Sequence, residues 1–114
     1  MPAKPNILVV CGKNKRRSRS AEYIFQNDPR FNILSAGLSS KSERKISAKD
    51  ISWAHLLFVM DRDQQKTLRS EFLHLDLPPI EVLEIADEYE YLDEELVLLL
   101  RDGINHALQV HFKI

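Results

Sequence analysis

What this sequence has little of narrows the possibilities first. It holds a single cysteine, Cys11, so no disulfide can close within the chain, and a reducing cytoplasm is the expected setting. The opening MPAKPN lacks the apolar stretch of a signal peptide, which points the same way. No apolar run approaches the roughly 20 residues that cross a bilayer, so no membrane partner is expected. Excess charge is missing too. With 16 basic against 17 acidic side chains the net charge is −1, which argues against a general nucleic-acid binder. Repeats, low-complexity tracts and linkers are absent, and a single domain spanning 1–114 is expected. No signal for an oligomeric state stands out.

What is present is the composition of an ordinary globular protein, 44% apolar and 29% charged, with the charge unevenly spread. Basic residues crowd Lys13 to Arg19 and Lys41 to Lys49, whereas Glu81 to Asp93 is acidic. A local positive site on a nearly neutral chain fits a small anionic ligand better than a long polyanion.

Apolar runs and helical patterns alternate along the chain. NILVVC (Asn6 to Cys11) is continuously apolar after its first residue, as a strand buried on both faces requires. Ala21, Ile24 and Phe25 follow helical spacing from Ser18, and that helix ends near Asn27 to Pro29. FNILS (Phe31 to Ser35) predicts a second strand closed by Gly37, and SAKD (Ser47 to Asp50) is a capping box opening a short helix through Ala54. LLFVM (Leu56 to Met60) is a third strand. Asp61 then caps a helix whose inner face carries Leu68 and Phe72. PPIEVLEI brings a fourth strand around Ile80, Val82 and Ile85. A last helix, from about Asp93 to Phe112, turns Leu96, Leu100, Ile104, Ala107 and Leu108 inward. The expected fold is therefore α/β, a three-layer sandwich with a four-stranded parallel sheet and helices on both faces. The continuous apolar runs belong at the centre and the alternating ones at the edges, which gives the order 2-1-3-4 with right-handed connections. Cys11 then lies at the topological switch point, at the carboxyl ends of strands one and three.

The stretch VVCGKNKRRSRSAE sets five cationic side chains among the eight residues after that cysteine. A loop from Gly12 to Arg17 that curls before a helix aims its backbone N–H groups inward and adds the positive end of the helix. Such a loop would hold a phosphate on the amides of Gly12, Lys13, Asn14, Lys15, Arg16 and Ser18, with Arg17 offering a bidentate fork. The same field favours a thiolate at Cys11, to which Ser18 could donate its hydroxyl hydrogen. A thiolate below a bound phosphate is a nucleophile for phosphoryl transfer. The plainer readings are a core cysteine beside a solvated basic loop, or a localisation signal in KNKRR.

At these residues the chain resembles the low-molecular-weight protein tyrosine phosphatases, whose loop reads C-x-G-N-x-C-R-S-P. CGKNKRRSR keeps Cys11, Asn14, Arg17 and Ser18 in register, and Ala21-Glu22, SAG (Ser35 to Gly37) and DISWAHLLFVMD extend the match. The resemblance implies the sheet order given above and hydrolysis of a phosphomonoester, foremost phosphotyrosine, through a cysteinyl-phosphate without metal or other cofactor. The partner would be a phosphorylated protein or a small phosphomonoester. It also implies that Asn14 and Ser35 brace the loop from behind. Lys13 stands where the family usually has glycine, Arg16 replaces its second cysteine and with it the usual disulfide partner, and Arg19 replaces proline. The chain is shorter than most members, so trimmed flanking loops are expected.

A leaving oxygen needs a proton, and an acid should face the thiolate. Asp61 after strand three has the shorter reach but is also the natural cap of the next helix. Asp87, in ADEYEYLDEE, has no evident structural duty, and DEY aligns with the family's Asp-Pro-Tyr-like acid segment except for the proline. Asp87 is therefore the expected acid, with Asp93 capping the last helix and Tyr89 or Tyr91 flanking the substrate. Metal ligands are not expected, since His106 and His111 do not share a helix face. Among other classes, thiol-dependent arsenate reductases need further cysteines, and cysteine-phosphorylated subunits of sugar transport systems lack the loop arginine. A module that binds phosphate or a phosphoprotein without turning it over is the remaining alternative.

Overall fold

In a computed structural model that describes residues 4–114, eight elements alternate. Strand β1 (Asn6–Cys11) leads to α1 (Arg17–Phe25), β2 (Asn32–Gly37) to α2 (Ala48–Trp53), β3 (Leu56–Val59) to α3 (Arg62–Glu71), and β4 (Ile80–Val82) to α4 (Glu94–Phe112). All strands are parallel, in the order β2-β1-β3-β4. The two central strands are those whose apolar runs are continuous. From Ile7 to Cys11 and from Leu56 to Val59 every residue is buried, because helices cover both faces.

Side chains alternate across the sheet and so feed two separate cores. Ile7, Val9 and Cys11 of β1, with Leu56 and Phe58 of β3, face α1 and α4, whose Ala21, Phe25, Leu96, Leu100, Ile104 and Leu108 close that layer. Leu8, Val10, Leu57 and Val59 face the opposite way, against Ile51 of α2 and Leu68 and Phe72 around α3. Truncating one of the fully buried leucines to alanine costs about 2–5 kcal/mol. Trp53 is half-buried against the second core.

Three helices start on side-chain caps. The Ser47–Asp50 capping box opens α2, Asp61 accepts from the Gln64 N–H at 2.8 Å, and Asp93 accepts from Glu95 and Leu96. Several boundaries differ from the sequence reading, β3 for instance stopping at Val59 rather than Met60. Helix α1 begins at Arg17 and ends at Phe25, strand β2 runs on through Gly37, and β4 stops at Val82. Glu84, two residues past that strand, has φ 57°, which breaks the extended conformation, although Ile85 N–H still donates to Met60 O at 3.0 Å.

Candidate active site

Cys11 ends β1 with its side chain in the α1/α4 core layer, 4% exposed, and the chain turns there into a loop that ends at α1. The turn depends on Asn14, which adopts φ 55°, a left-handed conformation that asparagine tolerates better than most residues. Asn14 is also buried. Its Oδ1 accepts from the Ser18 hydroxyl at 2.8 Å, and Ser18 Oγ in turn lies 2.9 Å from Cys11 Sγ. Ser18 has a single hydrogen, and here it goes to Asn14, so in this state the thiol is the donor to Ser18.

Helix α1 differs from the other three at its start. Its N-cap residue is Arg16, no side chain caps it, and no acidic residue occupies its first turn. The N–H groups that caps satisfy elsewhere are left for a ligand, and an anion is the ligand they suit.

The loop is held from outside by the segment after β2. Leu38 N–H donates to Cys11 O at 3.0 Å and Ser39 N–H to Gly12 O at 2.8 Å, and the Ser42 hydroxyl adds a contact to Gly12 O at 3.2 Å. The approach is close: a Cβ on Gly37 would lie 2.0 Å from Ser42 Oγ and 3.0 Å from the Asn14 backbone nitrogen. Ser35, expected to brace the loop, does not reach it. Its hydroxyl donates instead to Glu22 Oε1 on α1 at 2.6 Å. Leu38 and Ser39 went unrecognised in the sequence because their contacts run from backbone N–H groups, which no residue pattern marks, and Ser42 because its hydroxyl reaches a backbone carbonyl distant in the chain.

Arg17 is 5% exposed, and its Nη1 donates to Ile85 O at 2.6 Å. That carbonyl is occupied by the buried side of the guanidinium, leaving Nε and Nη2 for other acceptors. Asp87 Oδ1 stands 3.8 Å from Nε, on a carboxylate that is 67% exposed. The segment carrying Asp87 is tied to α1 at both ends, by Arg17 at Ile85 and by Ser20 Oγ, which accepts from Leu92 N–H at 2.9 Å. Cys11, Gly12, Lys13, Lys15, Arg16, Arg17 and Asp87 together line one pocket of about 310 Å³. Asn14 and Ser18 lie beneath it, both buried.

The tyrosines lie elsewhere. Tyr89 is half-buried against the α1/α4 core, and partial burial, reinforced by the neighbouring Glu95 and Glu88 carboxylates, raises its phenol above the ordinary tyrosine range. Tyr91 meets Tyr23 edge-on with ring centroids 6.4 Å apart, in a separate groove with Arg19 and Glu22. Neither Tyr89 nor Tyr91 lines the Cys11 pocket. Asp61 is committed to Gln64 as the cap of α3 and does not line it either.

The parallel sheet, the reversal of strand order between β1 and β3 and Cys11 at that point define a class of open α/β folds whose ligand crevice lies at the carboxyl ends of the strands. Within that class, the fold is that of the low-molecular-weight protein tyrosine phosphatases. SP-PTP, the low molecular weight protein tyrosine phosphatase from Streptococcus pyogenes, matches with a TM-score of 0.74 at 20% identity, over 95% of this chain and 93% of that one. The tyrosine phosphatase Wzb from Escherichia coli K30, solved with phosphate, matches with a TM-score of 0.70 at 19% identity, over 96% and 99% of the two chains. The YwlE arginine phosphatase from Geobacillus stearothermophilus matches with a TM-score of 0.67 at 20% identity, over 94% and 97%. No protein-family model matches the sequence, and no curated protein matches it at a significant level.

Proposed function

We propose that this chain is a hydrolase of phosphomonoesters, phosphotyrosine foremost, that works without metal through a phosphocysteine at Cys11. The observation that carries the reading is the single pocket shared by Cys11, Arg17 and Asp87 at the uncapped start of α1. The fold shared with tyrosine phosphatases supports it, and the neighbours also include an arginine phosphatase.

In the first step Cys11 Sγ, as thiolate, attacks phosphorus while the ester P–O bond breaks, and Asp87 gives its proton to the departing oxygen. Ser18 turns its hydroxyl hydrogen from Asn14 onto the sulfur, which stabilises the thiolate both before attack and as it leaves. Arg17, with the backbone amides from Gly12 to Ser18, holds the phosphoryl oxygens and supplies the positive charge that the transition state needs. In the second step water attacks the phosphocysteine, the Asp87 carboxylate takes its proton, and the S–P bond breaks to release inorganic phosphate.

The test is hydrolysis of p-nitrophenyl phosphate in EDTA with reductant, beside Cys11→Ser. Turnover by the native chain and none by the variant is the expected result. No turnover between about pH 5 and 8 with vanadate still bound would overturn the hydrolase in favour of a phosphate-binding module.

A further inference from the structure

The pocket says more about its substrate than the phosphate. Four basic side chains, Lys13, Lys15, Arg16 and Arg17, line it against one carboxylate, Asp87. Arg17 is buried and already assigned to the phosphoryl group, so the other three are in excess of what the reaction uses. Lys13, Lys15 and Arg16 are exposed and rim the mouth.

Their lack of close partners sets them apart from Arg19, Arg44 and Lys45. Arg19 pairs with Glu43, Arg44 with Asp50 and Lys45 with Glu71, each with an N–O contact of hydrogen-bond length. Among the described residues Lys13 and Lys15 pair with no carboxylate, and Arg16 has only Glu90 at 3.9 Å, on side chains 50% and 85% exposed. The rim also lacks the aromatic side chain that could hold a substrate by its ring alone. What it offers next to the phosphate site is unneutralised positive charge on three exposed side chains along the edge of the mouth. A short extended chain with carboxylates beside its phosphorylated residue complements that edge.

We infer that the substrate is a phosphorylated peptide segment flanked by acidic residues, with Lys13, Lys15 and Arg16 receiving the flanking carboxylates. This rests on the function proposed above, but the preference can be read without turnover. The backbone amides that hold the phosphoryl group stay in place when a lysine side chain is shortened, so Lys13→Gln and Lys15→Gln remove the rim charge alone.

Two phosphotyrosine peptides, one flanked by glutamates and one by glutamines, are titrated into Cys11→Ser protein at about 20 mM and about 0.5 M salt. At low salt the acidic peptide should bind roughly 3- to 30-fold more tightly, as a few exposed charge pairs allow. The preference should shrink at high salt, collapse in the doubly substituted Lys13→Gln/Lys15→Gln background, and persist in Lys66→Gln, which alters an exposed lysine outside the pocket. Equal affinities at low salt would overturn the inference, as would a preference that survives the double substitution. Tighter binding of a small bisphosphate than of the acidic peptide would also overturn it, in favour of a metabolite. Absence of p-nitrophenyl phosphate turnover by the native chain counts against the hydrolase and not against the acidic flank.

Discussion

Asp61 and Asp87 carry the same carboxylate at the ends of neighbouring strands, and what each touches separates their effects. Asp61 accepts from Gln64 N–H and caps α3, so Asp61→Ala should cost about 1 kcal/mol of stability, read by thermal unfolding, and leave kcat near native. Among the described residues Asp87 accepts no hydrogen bond, and it faces Arg17 across 3.8 Å. Asp87→Ala should slow turnover by roughly 10²- to 10⁴-fold on phosphotyrosine, and by less on p-nitrophenyl phosphate, whose oxygen leaves more readily unprotonated. A native rate on phosphotyrosine would remove Asp87 from the reaction. Asn14 combines two duties that substitution can split. Asn14→Gly keeps access to φ 55° but strips Ser18 of its acceptor, whereas Asn14→Ala also adds about 1–2 kcal/mol of left-handed strain. Vanadate affinity and thermal unfolding should therefore fall further for Asn14→Ala than for Asn14→Gly. At this scale the sequence was legible where residues close in the chain act together, as Cys11, Asn14, Arg17 and Ser18 do. It was silent where partners lie far apart, as with Arg17 on Ile85 O or Ser20 on Leu92 N–H, since neither carbonyl nor amide is marked by residue type.

Between elements, the site depends on how closely the segment after β2 approaches the loop between β1 and α1. Gly37 ends β2 in register with Cys11, and the atoms facing its missing Cβ are Ser42 Oγ at 2.0 Å, Ser42 Cβ at 2.6 Å and Asn14 N at 3.0 Å. Gly37→Ala must displace Ser42 and also presses on the Asn14 N–H, which belongs to the loop of the proposed phosphate site. The expected outcome is weaker vanadate binding together with reduced stability. Gly37→Ala/Ser42→Gly should recover part of the stability by clearing the two nearest atoms, but less of the binding, because Asn14 N stays crowded. Equal binding by the native protein and Gly37→Ala would show that the loop yields without cost. The elements themselves were legible because burial on both faces demands an unbroken apolar run, which is how β1 and β3 stand out from the edges. β4 was the exception. PPIEVLEI carries a strand pattern as far as Ile85, yet the strand stops at Val82, Glu84 takes a positive φ, and Ile85 O is left to Arg17. A glutamate gives no sign that it will take that conformation.

Across the molecule, opposite ends of the chain meet far from the pocket. Asp28, three residues past α1, pairs with Arg30 at 2.9 Å. Arg30 also donates to Asn105 Oδ1 at 2.8 Å on α4 and to the Ile114 backbone oxygen at 3.2 Å, and it stacks over Phe31 at 5.5 Å. Hydrogen bonding and charge from Arg30 outweigh partial burial and hold the Asp28 carboxyl below the usual carboxylate range. A carboxylate that is a stronger acid in the folded state than in the unfolded one contributes stability at neutral pH, fully present above its unfolded value near 4. That contribution is lost as pH falls through the folded value, because the unfolded chain takes up the proton first. Both partners keep contact with water, at 19% and 34% side-chain exposure, so the scale is that of a surface pair, about 0.5–1 kcal/mol. Asp28→Asn should therefore melt a few degrees below the native chain at about pH 7, with the gap closing as pH falls below about 4 and through the folded value. The Cys11 pocket is lined by neither residue, so kcat at neutral pH should stay native while the melting temperatures diverge. A gap between the two melting curves that is as wide at low pH as at neutral pH would mean that Asp28 stabilises this corner by packing rather than by its charge.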